Sequence, residues 1–157
     1  MSDDLYERDV LAWSESQAAL LRRLARGERV NDVDWEHVVE EIEDVGLSEL
    51  NAVRSYLRLI MTHLLKLQAW PNDQAVPHWR GEVVTFQRDA AQRFAPSMRQ
   101  RIDVERLYRD AVAAVTVVRS DETGQAALPG VCPFTLEQLL TEALGELVST
   151  ARNAAGA

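Results

Sequence analysis

The chain has 157 residues, enough for one domain with a sizeable core, and it is 46% hydrophobic against 27% charged, which excludes a disordered polymer. Its net charge of −8 repels nucleic acid and anionic membranes at long range, so DNA binding would need a local basic patch. Residues 80–109 offer one, with seven arginines against four acids, while residues 28–49 hold nine acids and the single base Arg29. The expectation is that these two segments face each other within one fold.

The first helix is expected to follow Ser2 or Asp3 as a cap and to run to Arg26, where Gly27 stops it. Val10, Trp13, Gln17, Leu20, Leu21 and Leu24 share one face of it. The N-terminal stretch MSDDLYERD has no apolar run of signal-peptide type. After the connector GERVND, Asp32 or Asp34 caps a second helix that runs to about Trp70, just before Pro71. Its roughly 36 residues would span about 54 Å. Its richest apolar run, LRLIMTHLLKL, is interrupted by Arg58, Thr62, His63 and Lys66 and is too short to cross a bilayer. The expected location is therefore cytoplasmic, with no membrane partner.

A third helix is predicted from Pro77 to Ala95, with Val83, Phe86, Ala90 and Phe94 inward. A fourth is predicted from Ser97 to Ser120, kinked near Asp103, with a stripe of Leu107, Tyr108, Ala111, Val112, Val115 and Val118. The segment DETGQAALPGVCP reads as the longest loop, pinned to the core by Val131 and Phe134. Thr135 and Gln138 form a capping box for a last helix over about 136–151. The expected fold is all-α: an antiparallel bundle of four to five helices around one long central helix (about 34–70). It forms a single domain over 1–157, with a flexible tail from about 152.

Helix two carries the sharpest pattern. Val39, Ile42, Gly46, Leu50, Val53, Leu57, Ile60, Leu64 and Leu67 recur at steps of three and four. Gly46 inside that stripe costs about 1 kcal/mol against Ala, so it implies either a close helix crossing or a bend. Glu40, Glu41 and Asp44 point away from the stripe and read as a solvated face. Glu43 and Glu49 flank it, with Glu49 in register with Tyr56 and His63. A carboxylate at such a flank needs a donor. Arg99, Arg101 and Arg106, at the start of the antiparallel fourth helix, are the expected partners. Leu59, Met61 and Leu65 make the second half of this helix apolar nearly all round, so it is either the centre of the bundle or a dimer face.

Catalytic and metal signatures are weak. A di-iron bundle needs Glu-x-x-His motifs, and the chain has none. Asp34-x-x-His37 is better explained by Asp34 as a cap. His37 and His63 are 26 residues apart, roughly 39 Å along one helix, so they cannot share a metal. A site using His63 would have to recruit an acid such as Asp89. Cys132 is the sole cysteine, so no intrachain disulfide forms, and no histidine lies near it in sequence to activate it as a nucleophile. No catalytic residue, metal or cofactor is assigned.

Several stretches together resemble a bacterial family, domain-of-unknown-function family twenty-nine. They are Asp9 to Trp13, the run EEIEDVGLSE over 40–49, HLLK over 63–66 and CPFTLEQ over 132–138, with valine in place of the usual leucine at position 45. The resemblance covers nearly the whole chain and implies an all-helical bundle. It marks Glu43, Gly46, Glu49, His63 and Lys66 as motif positions and implies no activity. Three functions are compatible with these readings. The favoured one is a non-enzymatic interaction or regulatory protein with a protein partner or a second copy of itself. The second is a metal-binding or enzymatic bundle using His63 with Glu43 or Glu49. The third is a nucleic-acid-linked regulator acting through the arginine-rich helices, which the net charge disfavours.

Overall fold

The computed structural model describes residues 2–118 and 127–156. Every regular element among them is helical: α1 (Ser2–Arg8), α2 (Val10–Ala25), α3 (Trp35–Ala69), α4 (Val76–Arg93), a 3₁₀ helix (Pro96–Arg101), α5 (Val104–Val118), α6 (Leu136–Thr141) and α7 (Leu144–Ala155). The chain forms two compact units, residues 1–48 and 49–157, and the 35-residue α3 supplies helix to each.

In the first unit, the expected single helix before Gly27 is two. Asp9 leaves helical geometry at φ −153° and accepts a hydrogen bond from the Ala12 N–H at 3.0 Å, so it ends α1 and caps α2. Gly27 stands at φ +83°, the left-handed position that closes a helix C-terminus and that a side chain would strain. Of the expected inward face, Trp13 and Gln17 are buried, whereas Val10 and Leu24 are exposed. Trp13 and Gln17 are held by Asp34, which precedes α3. The Trp13 indole donates to Asp34 Oδ2 at 3.0 Å, and the Asp34 N–H donates to Gln17 Oε1 at 2.9 Å.

The second unit is a bundle around the second half of α3. Val53, Leu57, Ile60, Met61, Leu64 and Leu65 are all at most 1% exposed. They pack with Trp79, Val83 and Ala90 of α4, with Tyr108, Ala111 and Val115 of α5, and with Leu139, Leu147 and Ala151 of α6 and α7. Of the three apolar residues off the main stripe, Met61 and Leu65 are thus covered by the chain's own helices, while Leu59 is only half-buried. Contacts along α3 and α4 run in opposite order, from Glu49 with Arg93 to Lys66 with Trp79, which makes the two helices antiparallel.

Three joints differ from expectation for local reasons. Helix four is preceded by a separate 3₁₀ turn, because Asp103 caps α5 by accepting from the Arg106 N–H at 3.0 Å. The last helix starts at the expected capping box, Thr135 with Gln138, but breaks at Glu142–Ala143 and resumes as α7. Gln87 of α4 bridges that break, its amide nitrogen donating to the carbonyls of Leu139 (3.1 Å) and Glu142 (2.8 Å). In the segment before α6, Phe134 is buried but Val131 is 72% exposed, so the pin on this side is Tyr108, whose hydroxyl donates to the Pro129 carbonyl. Burial pushes the Tyr108 phenol up to about 12. Residues 121–126 of the expected loop, Ser120 and the Val118 side chain lie outside the described residues.

Candidate functional site

The motif residues of α3 beyond Ser48 are Glu49, Tyr56, His63 and Lys66. They line its seam with α4. Glu49 accepts two hydrogen bonds from Arg93 Nη1, at 2.9 and 3.1 Å. Tyr56 lies against Phe86 with ring centroids 6.0 Å apart, and His63 meets the same ring edge-on at 5.6 Å. The Lys66 ammonium sits 5.7 Å from the centre of the Trp79 ring. The spacing 49–56–63–66 along α3 thus meets 93–86–79 along α4, as one edge of an antiparallel helix pair requires.

Electrostatics agree with a structural seam. The Glu49 carboxylate beside it raises the Arg93 pKa further above its ordinary value. Both side chains are nearly half exposed, so solvent screens the pair and it contributes little to stability. His63 donates from Nδ1 to the Leu59 carbonyl at 2.8 Å, and burial pushes its pKa below the ordinary histidine value. The imidazole is therefore neutral at physiological pH, anchored to its own helix. Among the described residues no three His, Cys, Asp or Glu side chains converge to hold a metal ion. Glu49 is committed to Arg93, and Glu43 stands exposed some 20 residues, roughly 30 Å, from His63 along α3.

The arginines fall elsewhere than expected. Arg99 pairs with Glu137 of α6 and packs over Phe94, while Arg101 and Arg106 line a separate pocket with Arg54. The reason is the 3₁₀ turn: it inserts six residues at a different pitch between α4 and α5, so Arg93, at the end of α4, meets Glu49 instead. At Gly46, among the described residues, an added Cβ would meet nothing within 4 Å, and the helix continues through the position.

Cys132 stands in surroundings that disfavour its thiolate. Its thiol donates to the Phe134 carbonyl at 3.5 Å, its N–H donates to Glu105, and burial raises its pKa.

Two features went unrecognised in the sequence. The first is an aromatic–carboxylate network in the first unit. Asp34 Oδ2 accepts from His37 Nδ1 at 2.8 Å as well as from Trp13, and Tyr6 stacks on His37 at 4.0 Å. Burial pushes the Asp34 carboxyl up, but the hydrogen bonds from His37 and Trp13 outweigh it and hold it below the usual carboxylate range. The Tyr6 hydroxyl donates to Glu41 at 2.7 Å, and that carboxylate pushes the phenol up to about 12. The Asp-x-x-x-Trp spacing contained the signal, since it fixes Trp13 one turn inside α2, but its partner is 21 residues away.

The second feature is an uncovered apolar stripe. Trp35, Val39 and Ile42 are 55%, 51% and 67% exposed, although they continue the helical line that Leu50, Val53 and Leu57 extend into the core. Val45 and Leu47 beside them are exposed too. The cause is rotational. α1 and α2 meet α3 and its capping residue through Asp34, His37 and Glu41, which lie about a third of a turn or more from the stripe at 100° per residue.

Comparison with known proteins gives family and fold. The family model described as "Domain of unknown function DUF29" matches residues 5–144. A solved structure from Rhodospirillum rubrum, an alpha-helical protein of unknown function, is 31% identical, with a TM-score of 0.70 over 92% of this chain and 95% of that one. No curated protein matches the chain. With a helical relative covered almost end to end and the family model spanning all the motif stretches, the chain belongs to the DUF29 family.

Proposed function

We propose that this is a non-enzymatic, cytoplasmic interaction protein whose docking face is the first half of α3. The observation that carries the reading is the stripe Trp35–Val39–Ile42, apolar, collinear with core positions and exposed. Completing the burial of such side chains is worth about 1 kcal/mol each, so three to five of them hold a partner helix only when flanking ion pairs and further contacts add to them. Open space at Gly46 lets that helix approach closely. The flank of the stripe carries Glu36 and Glu43, both exposed. An antiparallel second copy would bring these acids against their own counterparts. A partner helix with lysine or arginine beside its apolar face would pair with them instead.

The motif residues Glu49, Tyr56, His63 and Lys66 support this reading by stiffening the α3–α4 pair. The arginines support it in a different way: Arg93 and Arg99 are spent on Glu49 and Glu137 rather than presented to a nucleic acid.

The test is titration with a designed helix bearing leucines on one face and flanking lysines, read by Trp35 emission, with Trp35→Phe as the control. A blue shift that Ile42→Glu abolishes without loss of helicity is the expected result. No shift, from a chain that light scattering finds monomeric, refutes the reading. A dimer that Ile42→Glu dissociates replaces the basic helix by a second copy as partner.

A further inference from the structure

Three arginines from three elements converge on one open pocket of about 300 Å³: Arg54 of α3, Arg101 at the end of the 3₁₀ helix and Arg106 in the first turn of α5. Asp103, Leu107 and Asp110 complete its lining. Arg54 is half-buried and fixed. Its Nη2 donates to the Arg101 carbonyl and its Nη1 to Asn51 Oδ1 at 3.1 Å. One guanidinium is therefore tied to the backbone segment that carries the next.

Asp103 is already engaged, since its carboxylate caps α5 through the Arg106 N–H. The helix start is thus satisfied by the chain itself, and what remains open is the ring of side chains. Arg93 and Arg99 each reach a carboxylate elsewhere, but among the described residues neither Arg101 nor Arg106 forms an ion pair. Three cations against two carboxylates leave the pocket lining with one net positive charge on a chain whose net charge is −8. Repulsion among clustered guanidinium groups is relieved most effectively by a multivalent oxyanion. Their planar forks match such an anion two hydrogen bonds at a time. A volume of this size accommodates a small metabolite rather than a polymer.

We propose that this pocket binds a small molecule through its phosphate group, with Arg54 as the fixed floor, Arg101 and Arg106 as the closing arms, and Leu107 against the apolar part of the ligand. The site lies within residues 49–157 and does not rest on the docking face of α3. The test is calorimetric titration of the full chain with inorganic phosphate at constant ionic strength. Saturable one-to-one binding is expected. It should weaken about tenfold or more in Arg101→Ala and in Arg106→Ala, as loss of a charge-assisted bidentate contact implies. Arg54→Lys, which keeps the charge but loses the fork, should weaken it too, and Arg88→Ala should not. The Arg101 and Arg106 side chains are exposed, so those variants keep the fold and the test remains decisive even if Arg54→Lys is unstable. Absence of saturable binding at tens of millimolar phosphate overturns the proposal. So does binding that Arg101→Ala and Arg106→Ala leave unchanged, or that chloride at equal ionic strength reproduces. Tight binding of a single-stranded oligonucleotide that Arg88→Ala weakens as much as Arg106→Ala overturns it in favour of a diffuse basic surface.

Discussion

Replacing Asp34 by alanine removes the centre of the first unit's polar network, and its cost can be worked from the contacts. The Trp13 indole N–H and His37 Nδ1 lose a carboxylate acceptor at 3.0 and 2.8 Å, in a site where Asp34 is 8% and Trp13 3% exposed. A buried donor stripped of its partner costs about 1–3 kcal/mol, and losing a helix N-cap costs about 0.5–2. The contributions overlap, because one side chain makes them all, so about 3 kcal/mol is expected, roughly a hundredfold in the opening equilibrium. The chain forms two compact units, so the loss should be local. In hydrogen exchange at pH 7, amides of residues 10–25 should lose about a hundredfold protection in Asp34→Ala, while those of α4, α6 and α7 hold theirs. The pH dependence carries a sign. The folded carboxyl lies below its ordinary value, so its contribution is complete above the unfolded pKa and is lost as pH falls through the folded one. The difference between wild type and variant should therefore begin to shrink below about pH 4, near the unfolded carboxylate pKa, and go on shrinking as pH falls through the lower folded value. Equal protection at pH 7, or a difference that persists undiminished in acid, would refute the assignment of Asp34 as the keystone.

Two further outcomes follow from the same geometry. Gly46→Ala should stabilise the isolated chain by about 0.5–1 kcal/mol in denaturant unfolding, because the added methyl meets nothing and α3 continues through the position; a destabilised variant would mean that another segment does close on it. His63 is held below its ordinary pKa by burial, so the unfolded chain takes up its proton first and stability should fall as pH drops through the unfolded value near 6.5. His63→Gln should flatten that slope between pH 7.5 and 5.5, and an unchanged slope would place the titration elsewhere.

Much of the fold was legible from periodicity and punctuation. The three-and-four spacing from Leu50 to Leu67, the Thr135–Gln138 capping box and the Pro71 stop are local signals, and local hydrogen bonding and steric exclusion act where they stand. Breaks made by capping side chains were less visible. Asp9 divides α1 from α2, and Asp103 divides the 3₁₀ turn from α5; each is an acid that a helix surface would also accept. The motif glutamate at 49 signalled that a cation was needed, but which arginine supplied it depended on the pitch of the 3₁₀ turn.

The sequence by itself determined an all-helical chain, the extent of α3 and the identity of its apolar stripe, because these rest on rotation per residue and on end-capping. It could not determine which stretch of that stripe is covered. Covering depends on the angle at which α1 and α2 approach, and that angle is set by the bond from Trp13 to Asp34, across 21 residues. Tertiary structure alone decided that Leu50 lies in the core while Ile42, eight residues earlier on the same helix, faces solvent. It likewise brought Arg54, Arg101 and Arg106 to one pocket. Burial and convergence of charge belong to surfaces brought together from distant parts of the chain, and no local pattern encodes them.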